Sequence, residues 1–526
     1  MSEQIVMDVN DLLRAGLLPQ DMSAGELMVF PDLDDDPDKD AQFFDDDAPP
    51  EVPLGEAAPA GDDGDDSRGP EIKMISPFFE RGDHAEIADK VMEVLTDEPT
   101  HLVHDCSLQY LYEPKLGCWT PLKPEFIRWI VKGFSGCKTA GPIIKNEQKC
   151  GKLKISYSTA QGAERFVADA THITGFFDDA PPGVAFKNGF VTVEEGKIVI
   201  RPNSPRNRVR HAFPFDYDPN IRHPETDNFF EEVFADCNEE ERATRVAILQ
   251  EFAGAALLGM ATKYQKCVLL YGPGGTGKSQ WASMNLSMFP KNSAASLAPH
   301  RWGERFDLSH LAGVMLNVVA ELPDSELVNT DTFKSIIVGD QVTAERKFMP
   351  AFDFCPRAAH MFSTNTFPAT ADITDAFFRR FIIVPFTRNM QNAACHVPEI
   401  GKRIAAREQQ GLAVWSIEGA RRLQQQGRYT ESETSTGLIK QWRIDNDKVA
   451  LYIDEHCDRI ADDESGYKGT KAKILYKRYK EWSTDGNFKP VSSKTFSKRM
   501  DAIGLAAKRL SEGVYYPVRS KEQTDV

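Results

Sequence analysis

Leu269 to Ser279 read LLYGPGGTGKS, and the fold turns on how these residues are read. Gly272, Pro273, Gly274, Gly275, Thr276, Gly277, Lys278 and Ser279 form a glycine, four residues and Gly-Lys-Ser, the pattern of a phosphate-binding loop. The run Cys267-Val268-Leu269-Leu270 ahead of it is apolar throughout and predicts a buried parallel strand. Glycines permit the tight turn that aims successive backbone N–H groups at a triphosphate. A helix opening near Gly277 adds its positive end. Lys278 is expected to reach the β- and γ-phosphates, and the Ser279 hydroxyl to ligate Mg²⁺. Strand, loop and helix in this order predict an α/β nucleotide-binding core for ATP or GTP.

The chain has 526 residues, enough for several domains with an ample core. Its formal net charge of −17 is concentrated at one end. Residues 1–70 hold 20 Asp and Glu against 3 Lys and Arg, so the remainder is neutral and nucleic acid is not excluded as a partner. Nine cysteines without a CxxC pair suit reduced thiols in a cytoplasmic setting. No apolar run approaches the roughly 18 residues of a membrane span, so no membrane partner is expected. A secretion signal is not expected either.

Residues 1–72 read as an acidic, disordered tail, with a short helix around Val9 to Ala15. Asp34 and Asp36 form a DxD pair, but no apolar strand presents them, and a solvated linker is the favoured reading. Residues 73–225 predict a mixed α/β domain, helical over Phe79 to Asp97, with short strands at Gln109–Tyr112 and Cys118–Trp119. A hairpin is expected at Phe190–Ile200, turning at Glu194-Glu195-Gly196. His101, His104 and Cys106 lie close together but lack a second pair at zinc-site spacing, so they read as structural residues. Residues 226–262 carry apolar faces at helical spacing and predict a helical collar before the core.

Beyond the loop, Val314 to Val319 predicts a second buried strand, followed by Ala320 and Glu321. A carboxylate there can hold the Mg²⁺ water shell or polarise an attacking water, and the sequence leaves both roles open. A third strand, Ala358 to Phe362, runs into Ser363-Thr364-Asn365, where an Asn can orient water and sense a γ-phosphate. Arg379 and Arg380 precede a fourth strand at Ile382–Phe386. Arginine stabilises charge on a transferring phosphoryl group, commonly from a neighbouring subunit.

Taken together, GPGGTGKS, VVAEL, FKSIIVGDQVTAERKF, FSTN and DAFFRRFIIVPF resemble the superfamily 3 helicases, more narrowly the phage, plasmid and poxvirus primase-helicase type. Arg81-Gly82-Asp83-His84, Trp119, Asn188-Gly189 and Gly254 sit as in that family's pre-helicase domain, so the likeness runs over roughly residues 75–430. The resemblance implies an AAA+-like core over 263–430 with a helical lid, in a ring that is usually a homo-hexamer and pulls single-stranded DNA through its centre. It implies Lys278 and Ser279 as nucleotide and Mg²⁺ contacts, Glu321 as the Walker B acid and Asn365 as sensor. Arg379 or Arg380 would be the finger reaching a neighbour's site. Lys334 to Lys347 matches the motif that precedes or forms a DNA-touching hairpin, with Arg346 and Lys347 as its basic candidates. Phe348 beside them suits stacking, though an ordinary exposed hairpin would look the same. Asp8 to Leu13 resembles the tail of the primase domain that precedes such helicases, but the sequence shows no primase active site; the expectation is the helicase part alone, or a primase partner in another chain.

Residues 397–427 predict two amphipathic helices. Tyr467 to Lys521 hold 14 Lys and Arg against 4 Asp and Glu. Helix (Lys471–Trp482), turn, helix (Ser492–Ile503) and hairpin (Ala507–Val518) predict a winged-helix-like domain over 440–526. Ser493, Lys494, Ser497 and Lys498 would face a DNA groove, or the basic helices would bind other subunits. The expectation is an ATP-hydrolysing DNA helicase of phage or plasmid replication, acting on single strands at fork or origin DNA in a bacterial host's cytoplasm. An origin-binding initiator with little unwinding, and a protein remodeller, are the other readings.

Overall fold

The computed structural model describes residues 5–7, 72–74, 77–144, 147–290, 292–322, 330–370, 372–390, 397–460, 468–486 and 490–521. The acidic stretch with its Asp34/Asp36 pair, the helix around Val9 and the primase-like Asp8–Leu13 lie outside them. The chain divides into two compact units, residues 1–176 and 177–526.

In the first unit, β1 (Ile5–Met7) and β2 (Ile72–Met74) form an antiparallel pair. Helix α1 (His84–Leu95) starts where the Asp83 carboxylate accepts the Glu86 N–H, and Glu86 accepts the N–H groups of Glu80, Arg81 and Gly82. That reciprocal cap accounts locally for the Arg81–His84 stretch. An antiparallel meander follows, β3 (Leu102–Asp105), β4 (Leu108–Glu113) and β5 (Cys118–Leu122). Then come α2 (Pro124–Gly133), a two-stranded ribbon of β6 (Lys138–Ile144) and β7 (Glu147–Lys152), and α3 (Tyr157–Ala170). Their apolar faces meet in one core that includes Ile87, Val91, Leu111, Ile127, Val131 and Val167.

The second unit opens with an antiparallel sheet of β8 (Val184–Phe186), β9 (Gly189–Glu194) and β10 (Lys197–Arg201). The turn between β9 and β10 has positive φ at both Glu195 and Gly196, the geometry that matches strand twist. Three helices follow, α4 (Pro224–Val233), α5 (Glu239–Leu257) and α6 (Ala261–Tyr264). Next in the chain are β11 (Cys267–Tyr271), α7 (Lys278–Met288), β12 (Ala294–Ala295), α8 (Arg305–Leu308) and β13 (Leu316–Val319). After these come α9 (Thr330–Val338), β14 (Val342–Ala344), β15 (Phe352–Phe354), β16 (Ala359–Thr364), α10 (Asp375–Phe378) and β17 (Phe381–Pro385). Five of the strands form one all-parallel sheet in the order β12-β13-β16-β11-β17. The fold is therefore mixed α/β with a five-stranded parallel sheet, and β11 lies inside it, paired on both edges.

Helix α11 (Ile400–Gln426) closes the core by crossing α5. The two helices approach so closely that a Cβ on Gly254 would sit 2.1 Å from the Ser416 carbonyl oxygen. One on Gly419 would sit 2.2 Å from that of Gln250. The two helices that the sequence predicts over 397–427 are present within α11, meeting across a kink at Glu408, whose φ/ψ of −118°/28° is not helical. The interruption has a use: the Glu408 carboxylate accepts the Glu225 and Thr226 N–H groups at the start of α4. One grouping differs from the sequence reading. The β9–β10 hairpin, placed there in a 73–225 domain, shares a core with the parallel sheet. The helices read as a collar belong to that same core.

Past α11, α12 (Glu433–Asn446) buries Trp442 against Phe378 and Phe381. A smaller core then gathers α13 (Lys448–His456), α14 (Ala472–Asp485) and α15 (Ser493–Ala502) around Tyr452, Tyr479, Phe496 and Met500. Antiparallel strands border it. Of these, β18 (Cys457–Arg459) pairs with β22 (Val518–Ser520), and β19 (Thr470–Lys471) joins β21 (Gly513–Tyr516) and β20 (Lys508–Leu510). Among the described residues, no helix is long and apolar enough to cross a membrane.

Candidate nucleotide site

The buried strand β11 ends at Tyr271, and the next residue can only be glycine. Gly272 has φ +145°, and a Cβ there would lie 2.0 Å from the Phe386 carbonyl oxygen. Gly277 has φ +96° and sits against Val233 at the junction with α7. No side chain caps α7, so its first N–H groups point into the loop. The loop is braced internally by Thr276 Oγ1, which donates to the Pro273 carbonyl at 2.9 Å. It is braced from the far side by the Met390 N–H, which donates to Gly275.

Lys278 is nearly buried. Its Nζ donates to the carbonyls of Gly272 (2.6 Å) and Pro273 (2.7 Å) and to Asn365 Oδ1 (3.1 Å). Burial pushes its ammonium below the usual lysine range, while the Glu321 carboxylate pulls the other way. Asn365 follows directly on β16. Glu321 follows two residues after β13, held beside β16 by the Leu322 N–H donating to the Ser363 carbonyl at 2.8 Å. Three positions spaced more than 40 residues from one another thus converge at the C-terminal ends of adjacent parallel strands, where open α/β sheets carry their ligands.

These residues line one cavity of about 550 Å³, within the size range of nucleotide-sized ligands. Gly274, Gly275, Thr276, Gly277, Lys278, Ser279, Glu321 and Asn365 form its polar wall. The opposite wall comes from α4 and the start of α11, with Phe229, Val233, Ile400 and Ile404, and Asn228 and Glu232 at the rim. The apolar spacing of α4 is visible in the sequence, but nothing local signals that α11, some 170 residues on, completes the wall. Arg388 braces this side by donating to Glu232 Oε2 at 2.9 Å. The donor set suits a triphosphate with Mg²⁺: an uncapped helix end, a lysine, an exposed Ser279 hydroxyl and an exposed Glu321 carboxylate.

Other residues singled out in the sequence lie away from this cavity. Arg379 is exposed, whereas Arg380 is buried and donates to the Ala376 carbonyl. Arg346 and Lys347 lie between the antiparallel strands β14 and β15. The Arg346 guanidinium sits 4.4 Å from the centre of the Phe352 ring, and Phe348, at φ +64°, is 97% exposed. Lys494 and Lys498 are exposed on α15, one turn apart, with Phe496 and Met500 turned inward. His104 Nδ1 lies 3.4 Å from His172 Nδ1, and His101 packs edge-on against Tyr112. Among the described residues, no group of three or more His, Cys, Asp or Glu is placed to hold a metal ion.

Two family models match parts of the chain. Residues 95–235 match a family described as D5 N terminal like, and residues 270–380 match a family of unknown function, DUF5906. No curated protein matches. Among solved structures, the apo A form of the NrS-1 C-terminal region is 12% identical with a TM-score of 0.41, covering 79% of this chain and 94% of that one. A second apo structure of that region, residues 305–718, is 13% identical with the same TM-score, over 84% and 99%. At these scores the overlap does not establish a shared fold.

Proposed function

We propose that the chain is an Mg²⁺-dependent ATP hydrolase that drives a replicative DNA helicase of the superfamily 3, AAA+ type. The observation that carries this reading is the convergence of Lys278, Ser279, Glu321 and Asn365 on one nucleotide-sized cavity. Numbered by position in the chain, the five parallel strands run 2-3-4-1-5, an order that fits an AAA+ core. The family match over 95–235 covers the stretch ahead of the loop where the sequence resemblance also runs. In this reading Ser279 would hold Mg²⁺, which would neutralise phosphate charge, and Glu321 would serve the ion's water shell or the attacking water. Lys278 leaves the Gly272 and Pro273 carbonyls for the phosphates. Asn365, already on Lys278, is placed to register that move. Arg379, exposed and outside its own chain's cavity, is the better finger for a neighbour in a homo-hexamer. The β14–β15 hairpin offers Arg346, Lys347 and Phe348 to a single strand, and α15 offers Lys494 and Lys498 to a duplex from a winged-helix-like module.

The test is the ATPase rate with and without single-stranded DNA, on protein whose mass in solution is measured alongside. Strong stimulation in a hexamer supports the motor. A slow, DNA-indifferent rate, with sequence-preferring binding by the α13–β22 module, favours an origin-binding initiator instead. The basic face of α15 is the observation behind that second reading.

A further inference from the structure

At the end of the β6–β7 ribbon where Lys138 pairs with Lys152, side chains divide between core and solvent. Leu153 and Cys137 turn toward the core, while Lys138, Lys152 and Lys154 turn outward and are exposed. Lys138 and Lys152 are direct cross-strand partners. Like charges placed opposite each other destabilise a sheet, so the fold alone gives no reason for the pair. Nor does any acid relieve it. Among the described residues, Lys132, Lys138, Lys152 and Lys154 make no ion pair, and residues 132–154 contain six lysines and a single acid, Glu147. Protection of a sheet edge would account for a lysine on β7. It does not account for Lys138, because at that end β6 is bridged on its other side, Phe79 to Thr139, with the Phe79 N–H donating to the Lys138 carbonyl. Three residues past Lys154, Tyr157 opens α3 and is 70% exposed.

We propose that this ribbon is a nucleic-acid contact, with Lys138, Lys152 and Lys154 on successive phosphates of an unpaired strand and Tyr157 stacking on a base. Clustered lysines beside an exposed aromatic ring are what single-strand binding requires, since phosphates supply the missing counter-charge and every base has a face to stack. The site rests on the DNA reading above, but not on ATP hydrolysis, and no residue of the nucleotide cavity takes part.

The test uses the full chain without nucleotide, titrated against a fluorescent single-stranded oligonucleotide over a KCl series. Lys138→Gln/Lys152→Gln should lower affinity roughly tenfold near 0.1 M salt and flatten the log–log salt slope by about 1.4, two phosphates' worth for a single strand. Tyr157→Ala should weaken single-strand binding without changing the slope. Lys152→Glu puts an opposite charge against Lys138, so it should hold or raise the melting temperature while binding falls. Binding by the unaltered chain with an unchanged slope in Lys138→Gln/Lys152→Gln overturns the ribbon and leaves the motor standing. So does a melting temperature that falls together with binding. Equal losses on a blunt duplex overturn the assignment to an unpaired strand. An unaltered chain that binds no DNA overturns the motor reading and the ribbon with it.

Discussion

Lys278 makes three hydrogen bonds within its own site, two of them to loop carbonyls that a bound triphosphate would displace. Lys278→Ala should therefore fold normally and lose hydrolysis by on the order of 10²–10³-fold, read as phosphate release. Full activity in that variant would remove the site assignment. The two arginines at the end of α10 should separate cleanly. Arg379→Ala should keep the melting temperature and lower the assembled enzyme's rate by on the order of 10³-fold, rescued when mixed with Lys278→Ala subunits. Arg380→Ala removes a buried guanidinium bonded to Ala376 and should lower the melting temperature instead. At this scale the loop was legible because its chemistry is written in eight consecutive residues. Arg379 and Arg380 were not separable, because which of two adjacent side chains is buried depends on the packing of Phe377 and Phe378 around Trp442.

Among elements, the decisive contact is the crossing of α5 and α11. Gly254→Ala would force a methyl group against the Ser416 carbonyl and the Ala420 N–H, and should cost about 1–3 kcal/mol in denaturant unfolding. Glu408→Ala would strip the N-terminus of α4 of its acceptor and cost about 1–2 kcal/mol. Because α4 walls the cavity, nucleotide affinity should fall with it, and an unchanged affinity would show that α4 is held by other means. Strand and helix positions followed from periodicity, as with the β9–β10 hairpin and α14. The two helices over 397–427 followed in the same way, but the place of the break between them, Glu408, did not, since a partner 183 residues away marks it.

For the whole molecule, acid is the informative variable. His360 is buried and His211 is half-buried against the Gly313 carbonyl, and desolvation pushes their imidazoles down to about 3 and about 4. Both are held neutral in the fold and titrate near 6.5 when unfolded. Their contribution is intact above pH ~6.5 and is lost as pH falls toward the folded values, at up to ~1.4 kcal/mol per pH unit for each. Unfolding free energies between pH 7 and 5 should show this slope, and His360→Leu should make it shallower by about one proton. The division after Phe176 was the least legible feature, because the residues on either side differ in which core they join and not in composition. The central position of β11 has a consequence for how the chain is made. Its neighbours β16 and β17 end at Thr364 and Pro385, and α5 is not covered until α11 leaves the ribosome. At ~5–20 residues per second the first unit can finish folding many seconds before the second. Over that interval the apolar flank of α5 stands open, so a nascent chain halted near residue 360 should present a protease-resistant first unit ahead of a digestible remainder, and should need a chaperone to stay soluble.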